Sequence, residues 1–152
     1  MRFFAAIFFA IFVTVFTVFG QTDAADNTEA IKRTALNYAE GWYEGNADKM
    51  ESALSPDLAK RIALTNDKGQ SRLDHMTAMS LVQGTRTGYG KQTAKGNQQK
   101  DVTILDITGG AATVKCEMFE WVDYMHIAKL NGKWLIVNVL WEMKPKKETS
   151  VK

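Results

Sequence analysis

The stretch DYMHIAKLNGKWLIVNVLWEM, residues 123–143, decides the fold. Two apolar runs flank Asn131-Gly132, the dipeptide best suited to a two-residue type I′ turn because both central residues need positive φ. Such a turn fixes the register of its hairpin, and register decides which side chains share a face. Leu130 is then set against Lys133, Ala128 against Leu135, His126 against Val137 and Tyr124 against Val139, with Trp141 continuing that side. This face is apolar apart from the Tyr124 hydroxyl, the His126 imidazole and Lys133 at the turn. The other face mixes Met125, Ile127, Trp134, Ile136 and Leu140 with Asp123, Lys129, Asn138 and Glu142.

Upstream, Gly109-Gly110 predicts a second hairpin that pairs Ile107 with Ala112, Leu105 with Val114 and Thr103 with Cys116. The inner side of the resulting four-strand meander runs through Thr103, Leu105, Ile107, Ala112, Val114, Cys116 and Met118. It continues through Tyr124, His126, Ala128, Leu135, Val137, Val139 and Trp141. Helices precede it. Ile31, Ala35, Tyr38 and Trp42 recur at helical spacing from about Thr28, and Gly41 and Gly45 mark the end. Asn46 is a good N-cap for a short second helix carrying Met50 and Leu54, which stops at Ser55-Pro56. Residues 58–64 read equally as a short strand or an irregular turn. Ser71-Arg-Leu-Asp74 resembles a capping box, and predicts a third helix that buries Leu73, Met76, Met79 and Val82 and ends at Gly84. Residues 84–99 hold four glycines and no apolar period, so they read as a loop. Within it GTRTGYGKQ is no phosphate-binding loop: five residues separate Gly84 from Gly90 where four are needed, and Gln92 replaces Ser or Thr. Helices first and strands last make the class α+β, with the helices burying their apolar sides on the sheet.

A chain of 152 residues is one ordinary domain. Arg2 followed by an unbroken apolar run to Gly20 has the order of a secretory signal over residues 1–20, with cleavage after Gly20 or as late as Ala25. An uncleaved anchor is the alternative. A linker over 21–27, a domain over 28–147 and a basic tail over 148–152 complete the expected organisation. The protein is thus expected to be exported, periplasmic or secreted, with no membrane contact after cleavage. Leaving aside Arg2 and the lysine-rich end, acidic residues slightly outnumber basic ones, which argues against nucleic acid as a partner. The single cysteine, Cys116, excludes an intramolecular disulfide and sits mid-strand as a small hydrophobe without an activating neighbour.

The first helix with its end at Tyr38-Ala-Glu-Gly-Trp-Tyr-Glu-Gly-Asn46, the following Asp48, and Asn131-Gly-Lys-Trp134-Leu-Ile-Val137 in the last hairpin resemble the nuclear transport factor 2-like superfamily. Asp123-Tyr-Met-His126 and Ile136-Val-Asn-Val-Leu-Trp141 are most similar to its "Putative lumazine-binding" branch, related to polyketide-cyclase-like and ketosteroid-isomerase-like proteins. The resemblance covers about residues 28 to 147. It implies a curved antiparallel sheet wrapped around the helices into a cone, a pocket at the wide end, and frequent homodimers. The branch name implies a ligand resembling a flavin precursor.

The expected ligand-binding set is Tyr38, Trp42, Met118, Tyr124, His126, Val139 and Trp141. His126 is the one ionisable side chain along the middle of the inner face, and so the candidate general acid or base, although such histidines are more often satisfied core residues. The phenols of Tyr38 and Tyr124 can hydrogen-bond a carbonyl ligand. Trp42, Trp121 and Trp141 can stack a flat ring, with Trp121 near the pocket mouth; packing is the commoner role for such aromatics. Isomerase chemistry fits poorly. Tyr38 can take the tyrosine role of a ketosteroid isomerase, but Asp106 falls on the outer face and Asp101 at a strand end. His75, expected to be exposed, is far from His126, so no metal-ligand spacing exists and no cofactor is expected. The expected function is binding of a small apolar or aromatic molecule. The alternatives are a cyclase- or isomerase-like proton-transfer enzyme and a non-catalytic structural dimer. A homodimer is expected through Met125, Ile127, Trp134, Ile136 and Leu140 on the outer sheet face.

Overall fold

Helical periodicity from Ile31 onward is realised in α1, Phe19–Glu44, which turns Ile31, Ala35, Tyr38, Ala39 and Tyr43 into the core. The computed structural model describes residues 19–145, with side chains from residue 25. The apolar run up to residue 18 and the tail 148–152 lie outside the described residues, and the segment 21–27 expected as a linker is helical. Gly45, at φ 61°, ends α1 in the left-handed region that favours glycine. Asn46 then caps α2, Ala47–Ala53, its side chain accepting the Lys49 N–H at 3.0 Å. Gly41 lets the two helices close on each other: a Cβ there would lie 2.8 Å from the Met50 backbone nitrogen.

The next segment departs from expectation. Residues 54–65 form one long strand, β1 (Leu54–Thr65), and Ser71–Thr77 returns beside it as β2 rather than opening a helix. Asn66 closes the turn, its Oδ1 accepting from the Lys68 and Gln70 N–H groups. The ladder with β1 pairs the backbone of 71–77 and outweighs the weak local capping signal of Ser71 and Asp74. The third helix, α3 (Ala78–Arg86), starts later, behind a true capping box between Thr77 and Ser80. It buries Leu81 and Val82. Leu73 and Met79, expected inside, are exposed. Two short 3₁₀ turns, Tyr89–Gln92 and Lys95–Asn97, carry the chain to β3.

Strands β3 (Lys100–Thr108), β4 (Ala111–Met118), β5 (Trp121–Leu130) and β6 (Lys133–Met143) form the expected meander. The sheet has six strands in the order β2-β1-β6-β5-β4-β3, with β1 parallel to β6 and every other pair antiparallel. It is curved and unclosed, with the helices on its concave side. Near the Asn131-Gly132 turn the register is the expected one, Leu130 with Lys133 and Ala128 with Leu135. Beyond it Val137 bulges out, so that His126 pairs with Asn138 and Tyr124 with Leu140. Leu105 makes a similar bulge in β3 and moves Val102 and Ile104 onto the inner side in place of Thr103 and Leu105.

The buried face of β5 is the opposite of the expected one. Asp123, Met125 and Ile127 point inward, because the short Phe119-Glu120 connection pairs Cys116 with Asp123, Val114 with Met125 and Ala112 with Ile127. Tyr124 and His126 therefore lie on the convex side. Trp134 and Ile136 also face inward, whereas past the bulge Val139 and Trp141 face inward as expected. Four of the five residues expected to form a dimer patch, Met125, Ile127, Trp134 and Ile136, are core residues. Only Leu140 is exposed. Burying each of Met125, Ile127 and Ile136 contributes about 1.5–3 kcal/mol, which holds this face in place.

Candidate functional site

At one end of the concave side lies a cleft of about 180 Å³ lined by Tyr38, Trp42, Lys60, Met76, Leu81, Glu120, Trp121, Trp141 and Met143. Each position follows from an element already described. Tyr38 and Trp42 share the inner side of α1, one turn apart. Lys60 comes from β1, paired on one side with Met76 and on the other with Val139. The Val137 bulge is what sets Trp141 beside Asp123 and Met143 beside Trp121.

The walls are tryptophans. Trp42 meets Trp121 edge-to-face at 5.8 Å between ring centroids, and Trp121 meets Trp141 in the same manner at 6.3 Å. The loop read as lacking apolar period holds Trp42 from behind. A Cβ on Gly90 would lie 2.2 Å from the Trp42 carbonyl oxygen, so only glycine permits the approach.

The floor is a buried polar cluster. Lys60 is 4% exposed and Asp123 fully buried. The Lys60 Nζ donates to the Asp123 Oδ1 and to the Tyr38 Oη, the latter at 2.8 Å. Tyr38 in turn donates to Asp123 Oδ2 at 3.1 Å, which also accepts the Trp121 Nε1–H at 2.9 Å. The lysine nitrogen lies 4.8 Å from the Trp141 ring centroid and 5.4 Å from that of Tyr38. Burial pulls Lys60 below the ordinary lysine range, with the Asp123 carboxylate opposing the shift. Burial, and then the charge of Asp123, pushes the Tyr38 phenol well above its ordinary value, so that it stays protonated. Burying two ions costs several kcal/mol each and is offset only when their remaining donors and acceptors are paired. Here the carboxylate is paired at both oxygens and the ammonium spends two of its three protons on Tyr38 and Asp123, beside the Trp141 ring; among the described residues every buried side-chain nitrogen and oxygen has at least one partner.

Of the expected site residues, Tyr38, Trp42 and Trp141 come together in this cleft, and Trp121 stands among them. Met118 and Val139 are fully buried in the core. Tyr124, 46% exposed, and His126 are on the far side of the sheet, where the His126 Nδ1 lies 3.2 Å from the Asn138 amide nitrogen. His126 thus has no access to the cleft. His75 is exposed on β2, and burial raises the Cys116 thiol far above its ordinary value, as befits an inert core residue. Lys60 and Asp123 are absent from the expected set. Two signals point to Asp123, an acid among apolar strand residues and the two-residue Phe119-Glu120 turn, whose register pairs Asp123 with the inward-facing Cys116; none points to Lys60.

The profile of the family described as "Putative lumazine-binding" matches residues 26–142. No curated protein matches the chain. Among solved structures, it is similar to a nuclear transport factor 2-like protein of unknown function from Shewanella baltica OS155. That match has a TM-score of 0.59 and 18% identity over 80% of this chain and 96% of the other. One of the same description from Methylobacillus flagellatus KT matches with a TM-score of 0.58 and 21% identity, covering 79% and 94%. A further one, with a cystatin-like fold, from Novosphingobium aromaticivorans DSM, reaches a TM-score of 0.63 at 9% identity, covering 90% and 94%. At these identities the likeness is one of fold. The family profile spans most of the chain, and the protein, with a nuclear transport factor 2-like fold, belongs to the "Putative lumazine-binding" family.

Proposed function

We infer that this is an exported domain that binds a small flat molecule, aromatic or otherwise apolar, between Trp42, Trp121 and Trp141. The observation that carries the reading is the cleft itself: three tryptophan rings stand around about 180 Å³ of space, with the Lys60 cluster at its floor and the exposed Glu120 also lining it. Apolar walls with a few convergent polar groups are the usual composition of a small-molecule site. The volume suits one ring or a compact fused pair; an apolar cavity of about 150 Å³ is enough to hold benzene. Export is inferred from Arg2 and the apolar run that follows it.

Titrating the protein with lumazine, the molecule in the family's description, and with benzyl alcohol tests the reading. Tryptophan fluorescence should be quenched, and ligand at a hundred times Kd should stabilise by about 2.7 kcal/mol, raising Tm by about 5–10 °C for a domain of this size. Met143→Glu puts a charge at the half-exposed rim of the cleft and should weaken binding while leaving the fold intact. No quenching and no shift with any flat aromatic would leave a non-catalytic scaffold as the better reading.

A proton-transfer enzyme is the second reading, favoured by one observation. Lys60 and Tyr38, both shifted from their ordinary pKa values, line the same cleft.

A further inference from the structure

We propose that Lys60 is a nucleophile, whose amine forms a reversible imine with an aromatic aldehyde or ketone held between the tryptophans. The proposal rests on the ligand-binding reading and adds the chemical class of the ligand. The placement of three side chains carries it. Lys60 and Tyr38 line the cleft, whereas Asp123 is fully buried and contacts the lysine nitrogen without lining it. A ligand in the cleft therefore meets an amine and a phenol, with a carboxylate backing both. A lysine needed only to neutralise Asp123 has no reason to line the cavity.

The chemistry balances without any oxidant or reductant. The Lys60 ammonium passes one proton to the Asp123 carboxylate it contacts, which frees the nitrogen lone pair. That pair forms the C–N bond as the carbonyl π bond opens, and the oxygen takes its proton from the Tyr38 Oη, 2.8 Å from Nζ. Asp123 returns its proton to the Tyr38 phenolate across their hydrogen bond and takes one back from the nitrogen it contacts. The Tyr38 phenol then protonates the hydroxyl, which leaves as water as the nitrogen lone pair forms the C=N bond. Asp123 reprotonates Tyr38, leaving the protonated imine beside the carboxylate. One carbonyl compound and one amine give one imine and one water. Burial favours the neutral amine on which addition depends, and it holds Tyr38 protonated, as a proton donor must be. The Trp121 Nε1–H holds Asp123 Oδ2 in place, and the apolar walls limit the water that would reverse the reaction.

The test uses the full chain with benzaldehyde and sodium cyanoborohydride, whose hydride converts any imine into a stable benzylamine, followed by peptide mass mapping. Lys60 should be benzylated at least about tenfold faster than the exposed Lys133 and Lys100 in the same sample. Tyr38→Phe keeps the lysine and should slow labelling at Lys60 by about tenfold or more while leaving Lys133 unchanged. Labelling of Lys60 no faster than the surface lysines overturns the proposal, and an unchanged rate in Tyr38→Phe overturns the proton transfer assigned to Tyr38. Benzyl alcohol, which cannot form an imine, separates the two levels. If it quenches tryptophan fluorescence while Lys60 stays unlabelled, only the imine falls; if it does not quench and Lys60 stays unlabelled, the binding reading falls as well.

Discussion

Replacing Asp123 by Asn changes little volume and removes the one charge that justifies a buried lysine. The carboxylate accepts three hydrogen bonds, from Lys60, Tyr38 and Trp121. An asparagine oxygen can keep one or two of them, but its amide group is a donor facing donors. The larger loss is electrostatic, because Lys60 is left 4% exposed with no counter-ion. Breaking a buried pair from one side costs about 3–5 kcal/mol, which at roughly 2–4 °C per kcal/mol lowers Tm by about 6–20 °C. The triple variant Tyr38→Phe, Lys60→Met, Asp123→Leu removes both charges and the phenol, leaving only the Nε1–H of the partly exposed Trp121, and should recover most of that loss, since well-packed apolar replacements are often neutral or stabilising. Urea unfolding followed by circular dichroism measures both. A loss under about 1 kcal/mol in Asp123→Asn would mean that water reaches Lys60 and that the cluster is not the buried ion pair described here.

His126→Gln should change stability by less than about 0.5 kcal/mol and leave aromatic-ligand shifts intact, because the side chain is on the convex face; thermal melts with and without benzyl alcohol check this. Gly90→Ala drives a methyl group into the Trp42 backbone and should cost about 1–3 kcal/mol, with a changed tryptophan emission as the 3₁₀ turn lifts away. Glu40 gives an acid-side dependence. Burial would raise its carboxyl, but Lys49 and Lys100 outweigh that and hold it below its ordinary value of 4.5. Its folded value is the lower one, so its contribution is present above the unfolded value and fades as pH falls through the folded one. Urea midpoints measured down to about pH 3 should show this loss, and Glu40→Gln should flatten it.

Much of the scaffold was legible because its signals are local. The α1 periodicity, the Asn46 cap and the two glycine-bearing hairpin turns each depend on a few neighbouring residues, and each stands as read. β1 was ambiguous because Lys60 occupies an inward position, so the alternation of Leu58, Lys60 and Ile62 does not look apolar. β2 forms where a helix was expected because a capping pattern is worth about 1 kcal/mol, less than a row of ladder hydrogen bonds to β1, itself left open between strand and turn in the sequence.

The sequence by itself determined the class, the element order from β3 onward, the near-turn register of the last hairpin and the inward set of β4. These follow from turn chemistry and period-two alternation, which act over a few residues. Only the tertiary structure decided which face of β5 is buried, since both faces carry apolar residues and the choice belongs to β4 across the ladder. It also decided the two bulges, which no local propensity marks, and the one at Val137 sets Trp141 beside Asp123 at the cleft. The Lys60–Asp123 pair joins residues 63 positions apart in the chain, on strands that are not neighbours in the sheet. Two charges are tolerated in a core only where packing has already desolvated both and supplied their remaining partners, and that is settled when the whole sheet closes over the helices.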